Sequence, residues 1–195
     1  MTKQYAAVGI FAEDDSVEKV PVPDDMNEVL AKLDAIVDKY EQGDVLSPED
    51  HAIVASYLPV VGVDDTDHTE FDALIGTGSF EFDRSEDGLD VHVDGNCGCH
   101  STGEGRIEWW SEMGVAKTGG DTAIKAFDFT MRGASFGMGP SGKMKMIYKR
   151  DFTREFINAD AARMSFNDRY VFIQWGFFFS CTCTLTTDKG DITIR

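Results

Sequence analysis

Residues 170–186, YVFIQWGFFFSCTCTLT, constrain the fold more than any other stretch. Val171, Ile173, Trp175, Phe177, Phe179, Cys181, Cys183 and Leu185 share one parity, and all are apolar or thiol. The alternate positions change character along the chain, from Tyr170 and Phe172 through Gln174 and Ser180 to Thr182, Thr184 and Thr186. Period-two patterning with aromatic and β-branched residues specifies a strand with one buried face. A membrane-spanning helix needs ~20 apolar residues, and this stretch is shorter and carries Gln174 and a threonine ladder. The phase continues across Gly176. It therefore predicts one long strand at ~3.3 Å per residue, bent at the glycine and central in a sheet.

The remaining chain divides into a helical beginning and a strand-rich continuation. Residues 5–11 (YAAVGIF) form a short apolar strand candidate. In 24–40, Val29, Leu30, Leu33, Ile36, Val37 and Tyr40 recur at helical spacing behind Asp24 and Asp25, which suit the helix N-terminus, and Gly43 follows as a stop. Ser47-Pro48-Glu49-Asp50 opens a second helix that Pro59 is expected to close. Alternation then takes over. A hairpin is predicted at Ser85-Glu86-Asp87-Gly88, with Asp-Gly as the turn signal. Strand candidates follow at 106–110 and 123–131, with 133–142 as a glycine-rich loop before a strand at 143–150. A short helix is expected at 151–164 and a last strand at 191–195. The fold class is α+β: two N-terminal helices packed on a mostly antiparallel β-sheet, with a long bent central strand near the C-terminus. Residues 1–195 are expected to form one domain. A subdivision into a helical 1–62 and a β-rich 63–195 stays open, although so small a helical piece would be marginal alone.

Charge is distributed unevenly. The net charge is −17; residues 1–100 hold 24 Asp+Glu against 5 Lys+Arg, and residues 101–195 hold 11 against 13. Such a field repels nucleic acid and attracts basic surfaces. Asp64, Asp65, Asp67 and Glu70, with Asp83, Glu86 and Asp87 of the hairpin, are the candidate partner-binding carboxylates. Solubility or salt adaptation is the plainer explanation of the acidity. Mutual attraction of opposed halves, within one chain or head-to-tail in a homo-oligomer, is another.

The cysteines come as two Cys-x-Cys pairs, Cys97/Cys99 and Cys181/Cys183. In a strand both members of a pair face the same way. If the two strands are neighbours, four thiolates converge in a set that suits a structural Zn²⁺, with His100 as an alternative ligand of opposite parity. Ordinary buried core thiols and cross-strand disulfides are the competing readings.

Other motifs carry less. Residues 137–143 (GMGPSGK) match G-x4-G-K, but Met144 replaces the required Ser/Thr and a strand pattern follows where a helix is needed. The acidic loop 63–72 lacks the glycine and distal glutamate of a calcium loop. His51 and His92 are isolated, and no serine-nucleophile motif occurs. Lys143, Lys145, Lys149, Arg150, Arg154, Arg163 and Arg169 interleave with Tyr148, Phe152, Phe156 and Phe166, which could form a single-strand nucleic-acid surface. The acidic half opposes that use, so direct nucleic-acid binding is not expected.

The N-terminus shows no signal-peptide pattern, and the expected location is cytoplasmic, a host's cytoplasm if the protein is viral. The functional expectation is an acidic binding or inhibitor protein, phage- or mobile-element-encoded in type. It acts as a nucleic-acid mimic on a basic, nucleic-acid-binding surface such as that of a defence nuclease. A metal- or thiol-dependent enzyme built on the Cys-x-Cys pairs and a virion-type assembly protein are the alternatives.

Overall fold

The computed structural model describes residues 4–11, 14–61, 75–103, 106–172 and 175–195. Its elements in chain order are β1 (Ala7–Phe11), α1 (Met26–Lys39), α2 (Pro48–Val61), β2 (Ile75–Glu86), β3 (Leu89–Gly103), β4 (Arg106–Gly120), β5 (Ile124–Met138), β6 (Met144–Ile157), β7 (Ala161–Phe172), β8 (Gly176–Thr187) and β9 (Asp191–Ile194). The chain is thus α+β, with two helices and two antiparallel sheets.

The helices form for local reasons. The Asp25 carboxylate caps α1 by accepting from the Asn27 amide at 2.9 Å, and Val29, Leu30, Leu33, Ile36 and Val37 are buried along one face. Between the helices the Asp50 carboxylate accepts from Lys39 and the Tyr40 hydroxyl at 2.5 Å each and from the Ser47 hydroxyl at 2.9 Å. Pro59 does not end α2, which continues to Val61. A proline inside a helix leaves the carbonyl four residues earlier without its amide donor. Here that carbonyl, on Ala55, accepts from Lys19 Nζ at 3.1 Å. Residues 14–21 run across α2, held by Asp14 to His51 at 2.6 Å, Val20 N to Ser56 Oγ at 3.0 Å and Tyr57 OH to the Pro21 carbonyl at 3.3 Å.

One sheet has the order β1-β8-β5-β6, with β9 also paired to β8; we call it sheet B. The other, sheet A, has the order β2-β3-β4-β7. The Asp-Gly turn joins β2 to β3 as expected, with Asp87 at φ 51° and Gly88 at φ 74°. Phe177, Phe179, Cys181, Cys183 and Leu185 of β8 enter core clusters with Cys97, Cys99, Trp109, Val93 and Met113 of sheet A. The two sheets therefore share a core between them. On the opposite face of sheet B, Ala134, Phe136, Met144, Met146 and Phe178 share a cluster with the buried residues of both helices. Close approach demands glycine where the layers meet. A Cβ on Gly9 would lie 2.7 Å from the Leu58 carbonyl oxygen of α2, and one on Gly133 would lie 2.6 Å from Cζ2 of Trp109.

Three further sequence expectations are corrected. Residues 170–186 are not one bent strand: β7 ends at Phe172 in sheet A, and β8 begins at Gly176 in sheet B. The parity breaks as well, because Trp175 packs in the helix-side cluster while Phe177 faces sheet A. Periodicity reports that a face needs cover, but not that the covering sheet changes part-way. The expected helix at 151–164 is instead the end of β6 and the start of β7, because Phe152 stacks on Phe166 with ring centroids 3.4 Å apart. The glycine-rich 133–142 is mostly strand, since Gly133 belongs to β5 beneath Trp109.

Candidate functional site

Strand register places the polar residues of sheet A in rows across its outer face. One row joins Asp83, His92 and Ala116. The next joins Glu81, Asp94, Gly114 and Arg163, and a third joins Asn96, Glu112 and Ser165. Further along, Trp110 pairs with Asn167 and His100 with Glu108. The face carries Glu81, Asp83, Asp94, Glu108 and Glu112 against Arg163 and Arg169. Arg163 bonds Asp94 at 2.5 Å and Glu112 at 2.6 Å, and Arg169 bonds Glu108 at 2.9 Å. The β2 edge is different. Glu81 and Asp83 have side chains 69% and 83% exposed and meet His92, at 3.6 and 2.9 Å. The Asp83 hydrogen bond, with the charges of Asp83, Glu81 and Asp94, raises the His92 pKa above its ordinary value. Glu86 pairs with Arg84 at 2.5 Å, and Asp87 forms the hairpin turn. Asp64, Asp65, Asp67 and Glu70 lie outside the described residues.

The cysteine expectation is corrected in its geometry. β3 and β8 are not neighbours; they belong to different sheets and present their thiols to the shared core. All four cysteines are buried. Burial, then the neighbouring Cys183 and Cys97, pushes the Cys181 thiol well up, and burial with the Asp128 charge does the same to Cys183. Among the described residues no group of three or more His, Cys, Asp or Glu side chains is arranged to hold a metal ion. His100 is on the outer face, 3.6 Å from Glu108 and beside Trp110, away from the thiols.

The basic–aromatic pattern does not form one surface. Phe152 and Phe166 stack on each other, Lys149 pairs with Glu41 at 3.3 Å, and Arg150 pairs with Asp168 at 3.2 Å. Lys149 with Glu41 and Arg163 with Asp94 join the acidic first half to the basic second half, so the opposed halves attract within one chain. Residues 139–143 form the β5–β6 turn, and a strand follows them, not a helix.

One polar site escaped sequence reading. The even positions of β8 cross to Thr130 and Arg132 of β5 and to Thr193 of β9. With Asp34 and Asp38 of α1 and with Arg195, they line a cleft of ≈ 260 Å³. Arg132 uses all five N–H donors: Nε to Asp151 at 2.8 Å; one Nη to the Asp34 carbonyl at 3.2 Å and its Oδ1 at 3.5 Å; the other to Asp38 at 2.7 Å and Asp151 at 2.8 Å. Burial raises the Asp34 pKa although Arg132, Ser180 and Arg195 act to lower it. The signal in the sequence was the turn from aromatic to hydroxyl on the even face of 170–186. What it lacked was the identity of the helix that reaches over it.

No protein-family model matches the chain, and no curated protein matches it significantly. No described helix is long and apolar enough to cross a membrane.

Proposed function

We propose that this is a binding protein that docks on a basic surface of a partner protein through the acidic edge of sheet A. Glu81, Asp83, Glu86 and Asp87 form that edge, and Asp64, Asp65, Asp67 and Glu70 precede it in sequence. The observation that carries the reading is geometric: Glu81 and Asp83, their side chains 69% and 83% exposed, meet the half-buried His92 at the sheet edge, and the Asp83 hydrogen bond with the charges of Asp83, Glu81 and Asp94 raises the His92 pKa, as a negative field at the surface does. Flat, exposed carboxylates steer a cationic partner and make association strongly salt-dependent. A groove that normally holds nucleic acid is the partner surface with the matching charge, which makes an inhibitor of a nucleic-acid-binding protein the specific form of the proposal. The thiol-enzyme alternative is weaker, because buried cysteines with raised pKa supply little thiolate to act as nucleophile.

The test uses an arginine- and lysine-rich peptide as probe, titrated into the isotope-labelled protein. Resonances of the β2–β3 hairpin should shift, and added salt should suppress the effect. Glu81→Lys with Asp83→Lys and Glu86→Lys should abolish it. Equal binding by the reversed variant, or shifts centred elsewhere, refutes the assignment.

A further inference from the structure

The cleft on the outer face of sheet B holds a donor and an acceptor that do not reach each other. Asp34 Oδ1 accepts from Ser180 Oγ at 3.2 Å and from Arg132 at 3.5 Å. Its Oδ2 lies 4.0 Å from Nε of Arg195, beyond hydrogen-bond reach. That Nε is buried and has no hydrogen-bond partner among the described residues. The Arg195 side chain is 32% exposed, and a small rotation that opens Nε lets a single oxygen at ~2.8 Å from both atoms close the gap, provided that it accepts from Nε–H and donates to Oδ2. Water does both, and a ligand hydroxyl that displaces it does the same. A phosphate or carboxylate accepts only, and an ammonium group donates only.

The surroundings select the same chemistry. Arg132 has no donor left for an anion, and Asp34, Asp38 and Asp151 outnumber the two guanidiniums beside them. The floor is a row-by-row hydroxyl array: Thr130 pairs with Thr182 across β5 and β8, and Thr184 pairs with Thr193 across β8 and β9, their hydroxyls 3.3 Å apart. Each threonine can donate and accept. The volume of ≈ 260 Å³ falls below the ~300–1,000 Å³ of pockets for drug-sized ligands, which limits the occupant to about one ring or a short chain.

We propose that this cleft binds a small neutral polyhydroxy compound, a single sugar ring or a linear polyol. One ligand hydroxyl bridges Arg195 Nε and Asp34 Oδ2, and others rest on the Thr130, Thr182, Thr184 and Thr193 floor. The site is on the opposite sheet from the acidic edge and does not depend on it. The desolvated Asp34 carboxylate strengthens the hydrogen bond it accepts, in keeping with its raised pKa.

The test is a titration of the isotope-labelled full chain with glucose, galactose, mannose, ribose and sorbitol, each at ~10 mM, about ten times a ~1 mM dissociation constant. Inorganic phosphate serves as the anion control. At least one polyol should shift the amides of Thr130, Thr182, Thr184 and Thr193 and the side-chain Nε resonance of Arg195, while phosphate leaves them in place. Thr182→Val, which keeps the shape and removes the hydroxyl, should weaken binding about tenfold; Thr182→Ser should retain it. No shift with any polyol, equal shifts with phosphate, or unchanged affinity in Thr182→Val would overturn the proposal. Loss of these shifts with the hairpin response intact would refute this site alone.

Discussion

Replacing Arg132 by methionine tests how α1 is held to sheet B. The guanidinium side chain is 11% exposed and bonds Asp34 and Asp38 of α1 together with Asp151 of β6. Methionine keeps most of the apolar stem and removes every one of those bonds. The main cost falls on Asp34, whose side chain is only 15% exposed and which would lose its nearest cation. Removing one member of a buried ion pair costs about 3–5 kcal/mol, because the other charge stays desolvated. Against a total stability of about 5–15 kcal/mol this is a large fraction, and for a chain of this size it corresponds to a fall of roughly 6–20 °C in Tm. The loss should depend on pH. Asp34 already has a raised pKa from burial, so the native state binds its proton more readily than the unfolded chain. A raised carboxyl pKa means stability that falls as pH rises from the unfolded value of ~3.9 through the folded value. Without Arg132 the folded value rises further. The deficit should therefore be small near pH 4 and grow toward neutrality. Urea unfolding of the wild type, R132M and R132M/D34N across that range measures it, and Asp34→Asn should recover much of the loss at neutral pH. A pH-independent deficit, or no recovery in the double variant, refutes the account of Asp34 as the uncompensated charge.

Three further outcomes are expected. Gly133→Ala forces a methyl group to 2.6 Å from Cζ2 of Trp109, so thermal unfolding should show a loss of about 1–3 kcal/mol, partly relieved by adding Trp109→Phe. At Asp14, burial acts to raise the pKa but is outweighed by the bonds from Ser16 and His51, which leave it below the usual carboxylate range. Its stabilising contribution is then present above the unfolded value of ~3.9 and lost as pH falls through the folded value, and Asp14→Asn should cost about 1–3 kcal/mol at neutral pH and flatten that acid dependence in chemical denaturation. Cys181 and Cys183, buried with raised pKa, should react with a disulfide reagent only as fast as the native protein opens and rapidly in denaturant; fast labelling of the native state would contradict the burial.

Local physics made part of this molecule readable from its residues. The capped, amphipathic α1 and the Asp87-Gly88 turn each follow from a few adjacent side chains, and the inward parity of Phe177 through Leu185 follows from period two alone. The same parity put Cys181 and Cys183 in the core. Partnership was not readable. Alternation states that a face must be covered, but β3 and β8 turned out to belong to opposite sheets, and the run that begins in β7 ends in β8. The charge imbalance between halves was visible as a sum. Only the fold showed that Arg132 spends its donors on Asp34, Asp38 and Asp151, and Arg163 on Asp94 and Glu112, leaving Glu81 and Asp83 exposed at an edge beside His92. The threonines of β8 were legible as a ladder. That they floor a cleft depended on α1, more than a hundred residues away in sequence, bringing Asp34 to within 4.0 Å of Arg195. Local sequence specifies what each face requires, and long-range packing decides which distant residues meet that requirement.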